Sequence, residues 1–241
     1  MNCPKKILLL LDYDGTLVKI VKTPNEAKIS PSLKKIIRRL NKKIIVGIIT
    51  GRAMADIRRQ VGIKNIIYVA NHGLEIKLPG KKLWVLPEAR RILGQVRKNL
   101  ANLQKRLKKI PAIFLENKKY SLAIHYRNAR IPAKNIFSLG QEIIKNYPGL
   151  KINRGKKVME IHPDLNWNKG QAVKKLQKIY QPRITIYLGD DRTDEEAFAV
   201  LGKKDMAIAV GKNRRTRAGY SLKNPSAVKR FLSKLLHTIT E

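Results

Sequence analysis

Two aspartates, Asp12 and Asp14, stand two residues apart directly after the apolar run Ile7–Leu11. Five β-forming residues in a row read as a strand buried on both faces, and the run stops on an acid. Carboxylates at the carboxyl end of such a strand lie on the edge where open α/β sheets carry their chemistry. A second acidic group, Asp190, Asp191, Asp194, Glu195 and Glu196, follows the strand read at residues 184–188 and falls on the same kind of edge. In such a set one carboxylate can attack as a nucleophile and form a covalent intermediate. Its neighbour can give a proton to the leaving oxygen and later take one from water. Asp12 is placed for the first role and Asp14 for the second. Mg²⁺ takes hard oxygen ligands and only one or two carboxylates, which Asp12 and Asp190 would supply, with the backbone carbonyl of Asp14. These are the parts that in-line transfer of a phosphoryl group calls for, given positive charge around the moving group.

The rest of the chain reads as the frame for these groups. Ser30-Pro31 opens a helix, Ser as cap and Pro in the first turn, leading into residues 33–40. Residues 44–49 form a second buried strand ending in Thr50-Gly51-Arg52. A short helix at 53–60 leads to a third strand, 66–70, ending in Asn71-His72-Gly73. Residues 74–85 read as a hairpin turning at Pro79-Gly80. From Ala89 to Ile110 the apolar spacing predicts a long amphipathic helix with a basic outer face. Strands at 113–115 and 121–126, a helix at 132–146, and strands at 151–153 and 157–161 complete an α-β-β pattern written twice. Alternation then resumes: helix 169–180, strand 184–188, helix 194–201, strand 207–210, helix 225–238. The expected fold class is α/β, a doubly wound Rossmann-like parallel-sheet core of residues 1–85 and 165–241, interrupted by an α+β (αββαββ) insert of residues 86–164.

Composition narrows the classes. The chain of 241 residues has a formal charge of +35, yet its basic residues run through the whole length and its aromatics are not interleaved with them. That pattern offers no stacking platform for single strands, and nucleic-acid binding is not expected as the main role. A basic background around concentrated acids suits a metal site that receives a phosphorylated substrate. No apolar run approaches the length of a membrane span. The apolar run near the N-terminus is too short for a signal peptide, and Cys3 is the only cysteine, so a cytoplasmic protein without internal disulfides is expected. A monomer is expected.

Asp12-Tyr13-Asp14-Gly15-Thr16 resembles the first motif of the haloacid dehalogenase superfamily. The resemblance implies Mg²⁺-dependent phosphoryl transfer through an aspartyl-phosphate. Thr50 matches the second motif, a hydroxyl that hydrogen-bonds the phosphoryl, and Lys169 the third, an ammonium that neutralises its oxygens. In Gly189-Asp190-Asp191-Arg192-Thr193-Asp194-Glu195 the first acid matches the metal-binding Asp, with Asp191 and Asp194 behind it or bound through water. The insert resembles the second type of cap in that superfamily, with hinges near Leu86 and Asp164.

Finer motifs are similar to those of the trehalose-6-phosphate phosphatase family and cover nearly the whole chain. They are His72-Gly73, Trp167-Asn168-Lys169-Gly170, Gly189 to Glu195, Tyr120-Ser121 with His125 and Arg127, Lys157 with Glu160, and Thr216, Ala218, Tyr220, Leu222 and Pro225. The implied activity is hydrolysis of trehalose 6-phosphate, with Mg²⁺ as cofactor. Thr50, Gly51, Arg52, His72, Gly73, His125, Arg127, Glu160 and Lys169 are the implied substrate-binding set. Strand alternation in the insert supports part of it. Leu122, Ile124 and Tyr126 share one face and His125 and Arg127 the other, while Met159 and Ile161 oppose Glu160 and His162. One departure stands out: Glu160-Ile161-His162-Pro163 has His where the family has Arg or Lys, and an imidazole does not replace a fixed cation on equal terms. It leaves open a related capped sugar phosphatase acting on sucrose 6-phosphate or mannosyl-3-phosphoglycerate.

Overall fold

The run Ile7–Leu11 alternates its side chains between two cores, which is what a strand buried on both faces must do. Leu9 and Leu11 enter one apolar cluster, and Leu8 and Leu10 enter the other. The computed structural model describes residues 7–21, 26–91, 101, 104–105, 107, 110–127, 129, 132–146, 149–155, 157–211 and 215–240. The chain divides into two compact units, Met1–Trp84 with Trp167–Glu241, and Val85–Asn166.

In the first unit, β1 (Ile7–Leu11), β2 (Ile45–Ile49) and β3 (Ile67–Ala70) run parallel on one side of the sheet. On the other side of β1 lie β10 (Ile184–Gly189), β11 (Met206–Val210) and β12 (Tyr220–Leu222), also parallel. β4 (Glu75–Lys77) returns antiparallel to β3, and β5 (Leu83–Val85) completes an eight-stranded sheet ordered β12-β11-β10-β1-β2-β3-β4-β5. The connections leave in opposite directions from β1 and β10, which makes the space above those two strands the switch point where α/β sheets bind ligands.

Helix α1 (Pro31–Lys43) starts as its sequence indicates, with Ser30 Oγ accepting from Leu33 N at 3.3 Å and Pro31 in the first turn. It buries Leu33, Ile37 and Leu40, and α2 (Met54–Val61) buries Met54, Ile57 and Val61, all in the same cluster. The helix expected at 194–201 is shorter. A turn at Arg192–Asp194 leads into α5 (Glu195–Phe198), after which Val200 and Leu201 make i to i−3 bonds before Gly202 ends the segment. The short edge strand β12 is not foreseen in the sequence, and its three residues are mostly exposed. The last helix, α6 (Pro225–Thr238), is capped by Asn224.

In the second unit β6 (Phe114–Asn117), β7 (Leu122–His125), β8 (Leu150–Gly155) and β9 (Val158–Pro163) form an antiparallel sheet ordered β6-β7-β9-β8, with α3 (Ala133–Asn146) between β7 and β8. Leu122, Ile124, Tyr126, Met159 and Ile161 supply its core. The expected long helix from Ala89 to Ile110 lies largely outside the described residues. Among the described residues no helix is long and apolar enough to cross a membrane.

Candidate active site

Asp12 and Asp190 follow the two strands that flank the switch point. The backbone N–H of Asp12 donates to the Leu188 carbonyl at 2.9 Å, so the parallel ladder continues one residue past β1 and carries the side chain to the sheet edge. Gly15 has φ +85°, and a Cβ there would lie 2.0 Å from Asp190 Oδ2. A glycine is required on both counts, because the turn after Asp14 passes directly against the second acid. Thr16, fully buried, donates to Asp190 Oδ1 at 3.3 Å and helps to orient it.

Lys169 reaches this point from the first turn of α4 (Lys169–Tyr180). Each residue of Trp167-Asn168-Lys169-Gly170 has a separate physical task. The Trp167 indole donates to the Gly73 carbonyl at 2.9 Å, and Asn168 caps the helix by accepting from Gln171 N at 3.0 Å. The Lys169 ammonium donates to Asp12 Oδ1 and Asp194 Oδ1, each at 2.8 Å. Gly170 lets α4 meet the Glu196 carbonyl, where a Cβ would come within 2.3 Å. Asp194 is fully buried and also accepts from the Tyr187 hydroxyl at 2.8 Å and the Asp191 N–H at 2.9 Å. Asp191 itself is exposed and caps the following turn, accepting from Arg192 N.

Ligand oxygens of Asp12, Asp190 and Asp194 lie within 4.8 Å of one another. Burial pushes Asp12 well above the usual carboxylate range, with Asp194 and Asp190 adding to it and Lys169 opposing. Burial, Asp194 and Asp191 push Asp190 up to about 7. For Lys169 burial works against the charge, but Asp12 and Asp194 outweigh it and hold the ammonium charged. Three carboxylates around one ammonium leave an excess of negative charge in a buried place. A divalent cation with hard-oxygen preference fits that donor set.

The turn after β2 interlocks with the turn after β3. Thr50 is buried at 2 % exposure, and its hydroxyl accepts from Arg52 N at 3.2 Å. Asn71 N donates to the Arg52 carbonyl, and His72 N to that of Thr50. Asn71 and His72 have φ +50° and +54°, followed by Gly73 at +106°. The His72 ring lies so close over Gly51 that a Cβ there would meet its Nε2 at 2.4 Å. The Arg52 side chain turns toward the first strand. It donates to Asp14 Oδ2 and Oδ1 at 2.6 and 2.7 Å and to Asp56 Oδ2 at 2.6 Å.

In the second unit the face opposite the apolar core carries the expected polar residues. His125 Nε2 lies 3.0 Å from Glu116 Oε2, and Ser121 Oγ donates to Glu160 Oε1 at 2.6 Å. Lys118 donates to Glu160 Oε2 at 3.3 Å, and Arg127 is exposed just past β7. His162 Nδ1 faces the Pro163 carbonyl at 3.1 Å and so carries its proton there.

The trehalose-phosphatase family model matches residues 10–229. Trehalose-phosphate phosphatase B of Arabidopsis thaliana is 35% identical, the match covering 96% of this chain and 67% of that protein. The chain thus spans about two thirds of that plant relative's length. The chain belongs to the trehalose-phosphatase family. Two solved structures agree. A trehalose-6-phosphate phosphatase related protein matches at 25% identity and TM-score 0.86, over 96% of this chain and 97% of that one. The C-terminal domain of the C. albicans trehalose-6-phosphate phosphatase matches at 28% identity and TM-score 0.80, over 97% and 93%. As a family member the chain is a phosphoric monoester hydrolase, built on a Rossmann-like parallel-sheet core.

Within the first unit the structure gathers Asp12, Asp190, Asp194 and Lys169 into one cluster and joins Thr50, Gly51, Arg52, His72 and Gly73 in neighbouring turns. The family motifs do not point to Tyr187 or Glu116, and Thr16 stands in the first motif with no contact to Asp190 foreseen from it. A tyrosine in a strand buried on both faces was the available signal for Tyr187, because its hydroxyl must find a partner there. Glu116 pairs with Ala123 across β6 and β7, which puts it on the His125 face, but that register is set by the turn at 118–121, of which the motif includes only Tyr120 and Ser121.

Proposed function

We propose that the chain hydrolyses trehalose 6-phosphate to trehalose and phosphate through an aspartyl-phosphate on Asp12, as a monomeric cytoplasmic enzyme. The observation that carries this reading is the Asp12 carboxylate at the switch point, 2.8 Å from a buried ammonium, with Asp190 beside it. In the first step an Asp12 oxygen attacks phosphorus, the bond from phosphorus to the sugar oxygen breaks, and Asp14 gives that oxygen its proton. In the second, water attacks the same phosphorus, Asp14 takes a proton from it, and the Asp12 carboxylate leaves. Lys169 and the Thr50 hydroxyl, with the Gly51 backbone, balance the charge of the phosphoryl oxygens. Asp12, Asp190 and the Asp14 backbone carbonyl would hold Mg²⁺, with Asp191 and Asp194 behind them. When bound, the ion supplies charge neutralisation at the phosphoryl oxygens. His72, Gly73, His125, Arg127 and Glu160 are proposed to bind the disaccharide, the last three because they share the polar face of the second unit's sheet or follow directly from it.

Phosphate release with Mg²⁺ from trehalose 6-phosphate, sucrose 6-phosphate, glucose 6-phosphate and mannosyl-3-phosphoglycerate tests the reading. Preference for trehalose 6-phosphate, abolished by Asp12→Asn, is expected. Preference for another sugar phosphate would leave Asp12, Asp14, Thr50, Lys169 and Asp190 in place and overturn the sugar assignment. Full activity of Asp12→Asn would overturn the mechanism.

A further inference from the structure

Arg52 sits in the turn after β2, 6 % exposed, with its backbone pinned on both sides: its N–H donates to Thr50 Oγ1 and its carbonyl accepts from Asn71. Three of its side-chain donors are taken by carboxylates. Nε and Nη2 grip both oxygens of Asp14, and Nη1 holds Asp56 in the first turn of α2. Asp56 is itself held by Arg59, at 2.8 Å. Beneath the guanidinium lies the Tyr13 ring, its centroid 5.2 Å from Cζ, fixed by a hydrogen bond from its hydroxyl to the Ala27 carbonyl. A buried guanidinium clamped in this way has little left to offer a substrate. What it does is fix the plane and position of the Asp14 carboxylate, because a bidentate pair constrains both. The Asp14 side chain stays 39% exposed, so it is held from one side and open on the other.

We propose that Arg52 is a positioning residue that aims Asp14 for proton transfer, with Asp56 as its anchor; this rests on the acid-base role of Asp14 given above. Proton transfer depends on small displacements of the acid, so loss of the clamp costs turnover and leaves binding alone. The consequence depends on the leaving group. A sugar oxygen needs a proton as it departs; 4-nitrophenolate does not.

The test compares Arg52→Lys with the parent over the first turnover, before water breaks the intermediate, using trehalose 6-phosphate and 4-nitrophenyl phosphate. A lysine cannot span both oxygens of Asp14 and still reach Asp56. We expect the first-turnover rate on the sugar phosphate to fall roughly 10²-fold, with a much smaller loss on the aryl ester and the KM for both unchanged. Added guanidinium ion should restore part of the sugar-phosphate activity of Arg52→Ala. Equal losses on both substrates, or a raised KM with turnover intact, would overturn the proposal, the latter making Arg52 a substrate ligand. Should Arg52→Lys fail to fold, Asp56→Asn removes only the anchor; the same selective loss, smaller in size, is expected, and an unselective one counts against us. A parent enzyme inactive on trehalose 6-phosphate would instead remove the reading on which the proposal rests.

Discussion

Tyr187 carries a hydroxyl into the acid cluster from a buried strand, Ile184–Gly189, whose other polar side chain, Thr185, lies two residues earlier and accepts from Gln177. Its ring packs edge-on against Phe198 at 5.7 Å, and its oxygen donates to the same Asp194 atom that receives Lys169. Burial, with Asp194 and Asp12 nearby, holds the phenol well above the ordinary tyrosine range, so it stays a donor. Asp194 is thereby fixed by three donors, and Lys169 is fixed by Asp194. Tyr187→Phe keeps the ring and removes one donor to a buried carboxylate, a change that costs about 1.5–3 kcal/mol for a bond to a charged group. We expect that loss in urea denaturation, together with a several-fold fall in kcat and an unchanged KM for trehalose 6-phosphate, because the disordered group acts on the phosphoryl and not on the sugar. A variant with parental stability and kcat would show that Lys169 and the Asp191 amide suffice.

At the scale of elements, the site depends on how closely α4 and α5 approach, and Gly170 sets that distance. A methyl group there would lie 2.3 Å from the Glu196 carbonyl oxygen, a backbone atom that cannot rotate away. Gly170→Ala pits two effects against each other. Alanine favours a helix by about 1 kcal/mol over glycine, while overpacking a tight contact costs about 1–3 kcal/mol. The clash lies one residue from Lys169, so relief by shifting α4 draws the ammonium away from Asp12. We expect a net loss of stability by chemical denaturation and a larger fractional loss of turnover; a variant more stable than the parent would mean that the helices part freely. This contact also shows where sequence reading stops. The strands were legible because Leu8 to Leu11 is a continuous apolar run that ends on an acid and Ile184 to Leu188 is a run of β-forming residues with acids just beyond it, and Ser30-Pro31 marks a helix start by local bonding alone. Gly170 was visible as a motif letter, but its reason is a neighbour 26 positions on. The Arg52 clamp joins Asp14 to Asp56 across two loops in the same way, and the i to i−3 tightening that ends α5 early is set by packing of a four-residue helix, which no periodicity reveals.

The whole molecule carries +35 formal charges, yet the carboxylates Asp12, Asp190 and Asp194 gather in one place at the sheet edge. That inversion ties stability, pH and metal together. In the metal-free protein Asp190 is pushed up to about 7, from an ordinary value of 3.8, by burial and by Asp194 and Asp191. The folded state therefore binds this proton more tightly than the unfolded chain does. Its stabilising contribution is full below the ordinary value and is lost as pH rises toward and through about 7, the reverse of a carboxylate held by a cation. Divalent metal binds the ionised form, so it must displace that proton at low pH and need not at high pH. We expect the rise in Tm produced by saturating Mg²⁺ over metal-free protein to be small near about pH 5.5, to grow up to about pH 7.5, and to level off above it. The metal-free Tm alone should drift downward over the same interval, because the ionised acids then face one another, with the Lys169 charge held by Asp12 and Asp194. Asp190→Asn removes both the titrating group and a proposed ligand, so in that variant the Mg²⁺ increment should be small at every pH and the downward drift should flatten. A Mg²⁺ increment in the parent that ignores pH would mean that Asp190 is already ionised without metal. Lys169 would then have to balance more of the cluster than its contacts with Asp12 and Asp194 suggest.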